Sequence, residues 1–344
     1  MNAVQVPPEP APVRRIAVVR PNRRLGNTLM LTPLVQELET RFPQAQIELI
    51  TTCAAAATLF QGFPAVTAVH AILTERPVRS LGRLLALRRR SYDLAIDPVL
   101  RSRTGRALLG YIRARDRVGF RWGVPGRDRM LTHAADPALA PPHMAHSPLY
   151  LLRSAYYSRA LPAAVTGGIT GLIAPLELRL SDSERRDGER RLAEKLGSAQ
   201  WGTQPRVGIY AHATGSKSYP VGWWRQVIEC LRRQPAALQL LEFIPADGRP
   251  RLANEIPGLY TPDLRLLGAT LAAASLVVIP DGGIMHLAEA AGARVLGLFQ
   301  TTEPACYGPY RPGSEALWAR DASAESVAAR IRAMLHRSSA VAAG

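Results

Sequence analysis

SLVVIPDGGIMHLAEAAGARVLGLF, residues 275–299, decides the fold. Leu276–Pro280 is an uncharged run with the length and branched residues of a buried strand. Asp281-Gly282-Gly283 turns the chain, Ile284–Ala291 carries apolar residues at helical spacing, and Val295–Phe299 is a second strand. A strand, a helix and a further strand in so short a span make a βαβ unit, whose strands must run parallel.

The same alternation extends outward in both directions. In the second half, strands are predicted at Val207–Ala211 and Leu238–Phe243, with helices at Gly222–Arg233 and Leu264–Ala274. Ser181-Asp182-Ser183-Glu184 is a capping box that starts a helix running to Leu196. In the first half, strands are predicted at Arg15–Arg20, Gln46–Thr52, Ala68–Leu73, Tyr92–Asp97 and Arg117–Phe120. Helices fit at Thr28–Phe42, Ala54–Gln61, Val78–Arg90 and Ser102–Arg113. The fold class is therefore α/β, with two doubly wound parallel-sheet domains facing across a cleft at the carboxyl ends of their strands. The uncharged Gly- and Pro-rich stretch Leu161–Pro175 reads as the connection, which gives domains of residues 1–165 and 166–344. A last helix, Ala324–Arg337, is expected to pack back across the first domain.

With 344 residues, 47% of them hydrophobic, the chain is long enough for two cores. No uncharged apolar run is long enough to cross a bilayer, and the N-terminus has prolines and Glu9 where a signal peptide needs an apolar stretch, so a cytoplasmic protein is expected. Cys53, Cys230 and Cys306 are odd in number and widely spaced, which predicts neither a disulfide framework nor a metal site. The net charge is +16, and residues 1–170 hold most of it, with 23 Arg against 10 acidic groups. Such a surplus favours anionic partners, although 41 of the 43 basic residues are Arg, which fits a codon preference as well. Binding to nucleic acid is disfavoured, because no aromatic residues interleave the arginine runs and no nucleic-acid motif is present. A dehydrogenase is excluded by the lack of GxGxxG after the first strand.

Three segments carry the candidate chemistry. At Asp281-Gly282-Gly283 a helix starts at the end of a strand, with free N–H groups and its positive dipole end toward the cleft, a cradle for phosphate. Asp281 also reads as a plain helix cap, and His286 as a half-buried packing residue. Thr214, Gly215, Ser216 and Lys217 follow another strand, and a mobile ammonium beside small hydroxyl residues suits a diphosphate. In the first half, an Arg-rich loop with Arg20, Arg23 and Arg24 precedes Gly26-Asn27, which places Asn27 near the cleft at an N-cap position.

In this order the three segments resemble glycosyltransferase family 9, the ADP-heptose:lipopolysaccharide heptosyltransferases, over nearly the whole chain. Leu25-Gly26-Asn27, Thr32-Pro33 and Arg41-Phe42-Pro43 match the family's first segment. The stretch ending in Arg117-Val118-Gly119-Phe120 matches its middle, and Asp281-Gly282-Gly283-Ile284-Met285-His286-Leu287-Ala288 is similar to its Asp-Thr-Gly-Pro-Met-His-Leu-Ala signature. Phe299–Tyr310 is similar to the run that follows. The resemblance implies the GT-B architecture of two Rossmann-like domains and an inverting transfer without a metal or other cofactor. It implies a nucleotide-sugar donor held by Thr214, Ser216, Lys217, Asp281, Gly282, Gly283, Ile284 and His286. The expected acceptor is an anionic glycolipid at the inner membrane surface, with Arg20, Arg23, Arg24 and Arg101 as its candidate contacts.

The sequence departs from the family in two places. Gly282 replaces a threonine, and Asn27 replaces the aspartate that resembles a general base; an amide cannot take up a proton at neutral pH. Three readings follow. Asp97, at a predicted strand end on the same cleft edge, is the base; or the proton leaves late, to water or a substrate phosphate, with Asn27 orienting the hydroxyl; or the chain is a weakened paralogue. A nucleotide-sugar epimerase, which shares the architecture, is the other enzyme reading.

Overall fold

The computed structural model describes residues 12–73, 75, 77–156, 173–197, 204–233, 238–253 and 255–342. The domain boundary expected at residues 165/166 and most of the expected connection lie outside these residues.

Two six-stranded sheets organise the chain. The first contains β1 (Arg15–Arg20), β2 (Gln46–Thr51), β3 (Val66–Ala71), β4 (Ser91–Asp97), β5 (Arg113–Phe120) and β6 (His133–Ala135), in the order β3-β2-β1-β4-β5-β6. The second contains β7 (Arg206–Ile209), β8 (Gln239–Phe243), β9 (Gly258–Leu259), β10 (Leu276–Pro280), β11 (Val295–Phe299) and β12 (Glu315–Trp318), in the order β12-β11-β10-β7-β8-β9. Every pairing is parallel. Counted within its own half, each sheet has the strand order of a doubly wound nucleotide-binding fold. In each, the order reverses between two central strands, β1 and β4 in the first and β7 and β10 in the second. Ligands bind such folds at the carboxyl ends of these strands.

The central strands are buried on both faces, as crossover helices require: Ile16, Ala17, Val18 and Val19 are fully buried, as are Leu276, Val277 and Val278. One face of the first sheet packs Ala17, Val19, Ile50 and Ala95 against Leu87 and Leu109, from helices Pro77–Arg89 and Arg103–Tyr111. Its other face belongs to an apolar cluster that continues into the second half, from Ile16, Val18 and Leu34 to Val277, Met285 and Val295. Polar contacts join the halves as well. The Glu177 amide donates to Thr32 Oγ1 at 3.1 Å, and the Met144 amide to the Cys306 carbonyl at 3.0 Å. The Arg265 guanidinium, held within its own half by Glu184 and the Leu178 and Arg179 carbonyls, donates across to the Thr58 carbonyl at 3.4 Å.

The capping box forms: the Ser181 amide donates to Glu184 Oε2 at 2.7 Å, and the Glu184 amide to Ser181 Oγ at 3.3 Å. Two expectations are corrected. The span Thr28–Phe42 is two helices, Leu25–Leu29 and Thr32–Arg41, because the chain turns at Met30-Leu31 and Thr32-Pro33 begins a new helix with proline in its first turn. The last helix, Ala324–Ala342, packs on the second sheet rather than the first domain. Its Val327, Ile331 and Met334 fill the surface offered by Trp224, Val227 and Leu231 of helix Val221–Arg232, and Arg332 donates to the Cys230 carbonyl at 3.2 Å.

Candidate functional site

A cavity of about 430 Å³ opens where the reversal points of the two sheets face each other. Its walls are Arg24, Leu25, Gly26 and Asn27 from the loop and helix after β1, and Thr214 and Lys217 from the loop after β7. Asp281, Gly282, Gly283, Ile284 and His286 follow β10, and Tyr307 follows β11. The volume lies within the range of small-molecule sites, about 300–1,000 Å³.

On the second-domain side, Gly282 occupies the N-cap position with extended backbone at φ 175°, and no side chain caps the helix. Asp281 therefore does not serve as the cap. The residue is 5% exposed, and its carboxylate accepts a hydrogen bond from the ammonium of Lys217, which the single turn Gly215–Lys217 brings across from β7. An anion entering the cavity meets a lysine already held in place and uncapped N–H groups at a helix start, both of which attract negative charge. His286, one turn along, is 3% exposed. Burial lowers its pKa to about 4 against the opposing pull of Asp281, so the ring is neutral, and its Nδ1 has no partner among the described residues.

On the first-domain side, the helix that carries Asn27 starts with Arg24 as N-cap, because the Asn22 side chain accepts the Arg24 amide at 2.8 Å and closes the turn there. Asn27 is thus inside the first turn and not the cap, and it lines the cavity. The two walls touch through glycines. A Cβ built on Gly26 would lie 2.5 Å from His286 Cδ2 and 3.3 Å from Gly283 Cα, so only a residue without a side chain lets the walls approach this closely.

The remaining expected residues stand elsewhere. Ser216 is exposed and does not line the cavity. Arg23 pairs with Glu75 at 3.2 Å, and Arg101 is exposed on the loop after β4. Arg20 and Asp97 lie behind the wall, 7% and 0% exposed. Burial pushes the Asp97 pKa up to about 7, and Arg106, the Val99 amide and Arg20 pull it back only partly. Arg106, which sequence reading did not single out, is 1% exposed. Its Nε is 3.7 Å from Asp97 Oδ2, its Nη2 donates to the Phe120 carbonyl at 2.6 Å, and its guanidinium lies 4.5 Å over the Trp122 ring. Asp97 is therefore sealed beside a buried guanidinium, and the cavity that holds Asn27 does not reach it. Tyr307 was also missed. Its signal was its place: Glu303-Pro304 starts a short helix directly after β11, beside the reversal point.

Two sheets of this order, meeting across a cavity at their reversal points, form the GT-B architecture. A family profile for glycosyltransferase family 9 (heptosyltransferase) matches residues 78–333, and the chain belongs to that family. Solved structures carry the same fold. A glycosyl transferase family 9 structure from Veillonella parvula has a TM-score of 0.75 at 16% identity, over 95% of this chain and 98% of its own. The E. coli heptosyltransferase WaaC with ADP has a TM-score of 0.68 at 17% identity, over 93% of this chain and 99% of its own. E. coli ADP-heptose lps heptosyltransferase II has a TM-score of 0.66 at 19% identity, over 94% and 99%. No curated protein matches the chain in sequence.

Proposed function

We propose that the protein transfers heptose from ADP-heptose, with inversion, to a hydroxyl of a phosphorylated glycolipid of the lipopolysaccharide-core type at the cytoplasmic face of the membrane. One observation carries this reading: a single cavity holds the Lys217–Asp281 pair and the uncapped start of helix Gly283–Ala291 opposite Asn27. In the proposed reaction the acceptor oxygen attacks the anomeric carbon, the bond from that carbon to the diphosphate oxygen breaks, and the nucleoside diphosphate leaves with the bonding pair. Lys217 and the Gly283 and Ile284 amides stabilise the charge that grows on the diphosphate, the largest demand of such a transfer. Asp281 keeps Lys217 in position, and neutral His286 contributes a hydrogen bond without adding charge. Asn27 orients the acceptor hydroxyl; the proton departs late, to a donor phosphate oxygen or water. Arg24, on the rim beside Asn27, meets an acceptor phosphate.

A thermal-shift series with ADP, UDP, GDP and their sugars tests the donor. A ligand at one hundred times its Kd stabilises the folded form by about 2.7 kcal/mol. ADP and ADP-heptose are expected to raise the melting midpoint most. A larger shift with a uridine or guanosine sugar alone overturns the choice of donor and leaves the family unchanged.

A further inference from the structure

Helix Pro77–Arg89, PVRSLGRLLALRR, has a face that no other part of the described residues covers. Its inner side is fixed by Ser80, whose hydroxyl bridges the Leu73 amide at 2.9 Å and carbonyl at 2.7 Å, and by fully buried Leu87. On the opposite side Val78, Leu81 and Leu85 follow one another at spacings of three and four, 83%, 59% and 53% exposed. They are three of the seven large apolar side chains exposed among the described residues, so the patch is a stripe and not scatter. Arg79 and Arg89 stand exposed on the same helix, whereas Arg83 and Arg88 turn back to the Ala71 and Tyr111 carbonyls and Arg90 pairs with Glu48; residues 77–90 contain no acid.

We propose that this helix lies in the headgroup region of an anionic lipid bilayer, with Val78, Leu81 and Leu85 inserted and the exposed Arg79 and Arg89 on lipid phosphates. The proposal rests on the membrane-borne acceptor proposed above and names the surface that meets the membrane. A narrow apolar stripe bordered by arginines is the pattern of an interfacial helix. Charge decides between occupants. A second copy placed symmetrically on the stripe would set two arginine sets face to face, whereas an anionic surface neutralises them. The position also suits the reaction. The helix follows the carboxyl end of β3, at the cleft edge, and Glu75, just before it, pairs with Arg23 at 3.2 Å. Arg24 of the cavity rim is the next residue, so a bilayer along the helix brings its headgroups to the side where the acceptor enters.

The test is co-sedimentation of the full chain with vesicles of phosphatidylcholine alone and of phosphatidylcholine with phosphatidylglycerol, for wild type, the double variant Leu81→Ser/Leu85→Ser and a control, Leu139→Ser. Leu139 is 51% exposed and lies outside the helix. Wild type and control are expected to bind the anionic vesicles, less tightly as salt rises. The double variant should bind about tenfold or more weakly, with its melting midpoint unchanged, since its leucines support no core. Equal binding by wild type and double variant overturns the helix assignment and leaves the membrane reading in place. Wild type that ignores anionic vesicles overturns both. Self-association that the double variant abolishes, without vesicle binding, assigns the stripe to a second copy instead.

Discussion

Replacing Gly26 by alanine is expected to damage the site without damaging either sheet. The new Cβ would lie 2.5 Å from His286 Cδ2, 3.4 Å from its Nε2 and 3.3 Å from Gly283 Cα. Carbon atoms rest at about 3.5–4.0 Å, so the two walls must separate by about 1 Å. His286 is 3% exposed and cannot swing aside, and the Gly283 backbone is pinned by its helix. Overpacking of this kind costs about 1–3 kcal/mol, here charged to the contact between the halves. A ligand that needs the walls together loses affinity by the same free energy, about 5- to 150-fold. Calorimetric titration with the nucleoside diphosphate that gives the largest thermal shift measures the loss. The other two glycines rank the effect. Alanine at Gly283 meets Leu25 Cβ at 3.1 Å and the Gly26 nitrogen at 3.3 Å, a milder crowding. Alanine at Gly282 meets nothing nearer than the Pro280 oxygen at 3.8 Å, on extended backbone any residue adopts. Wild-type affinity in Gly26→Ala, or a larger loss at Gly282 than at Gly26, would refute the close approach of the walls.

Three further outcomes are expected. Lys217→Ala should weaken nucleotide binding about 10- to 100-fold, because it removes a charged donor and leaves the buried Asp281 carboxylate beside the diphosphate; Lys217→Ala/Asp281→Asn should recover part of it, and unchanged affinity in the single variant would place the diphosphate elsewhere. Asn27→Asp puts a carboxylate where the acceptor hydroxyl is oriented and should raise turnover, up to the roughly 100- to 10,000-fold that general-base help supplies; no rise means that proton removal at this position does not limit the reaction. Asp97→Asn should leave turnover within a few-fold and change the pH dependence of stability. The Asp97 pKa rises from 3.8 to about 7 on burial, so the folded state holds the extra proton between those values. Wild-type stability from this group is present below pH 4 and declines toward pH 7, by up to about 1.4 kcal/mol per pH unit. Denaturant melts from pH 4 to 7.5 should show that decline in wild type minus variant, and a flat difference removes the reasoning.

β1, β10 and β11 have the ends that the sequence predicts, since each is a buried apolar run closed by residues that turn the chain. β6, β9 and β12 escaped because they are short, two to four residues, and β12 is partly exposed. Helix Ser147–Tyr156 escaped for the opposite reason: Ser147–Leu152 are all buried, so no periodic polar face betrays it. Asp281, Gly283, Lys217 and Asn27 were legible because each follows a central strand closely, where a doubly wound sheet keeps its ligands. The pairing of Lys217 with Asp281, 64 residues apart, was not, nor was the burial of Asp97 beside Arg106, which stacks on Trp122. Such contacts depend on how helices lie on the sheet, which local pattern does not encode.

The apolar cluster that runs from Ile16 in the first sheet to Val295 in the second sets how this molecule can move. Paired domains drift apart readily when water and polar groups separate them, and resist when the seam is greasy and broad. Here a wide jaw-like opening would wet the same side chains that hold each half folded. How far the cavity can open is therefore bound to how far this shared cluster can part without exposing it to water.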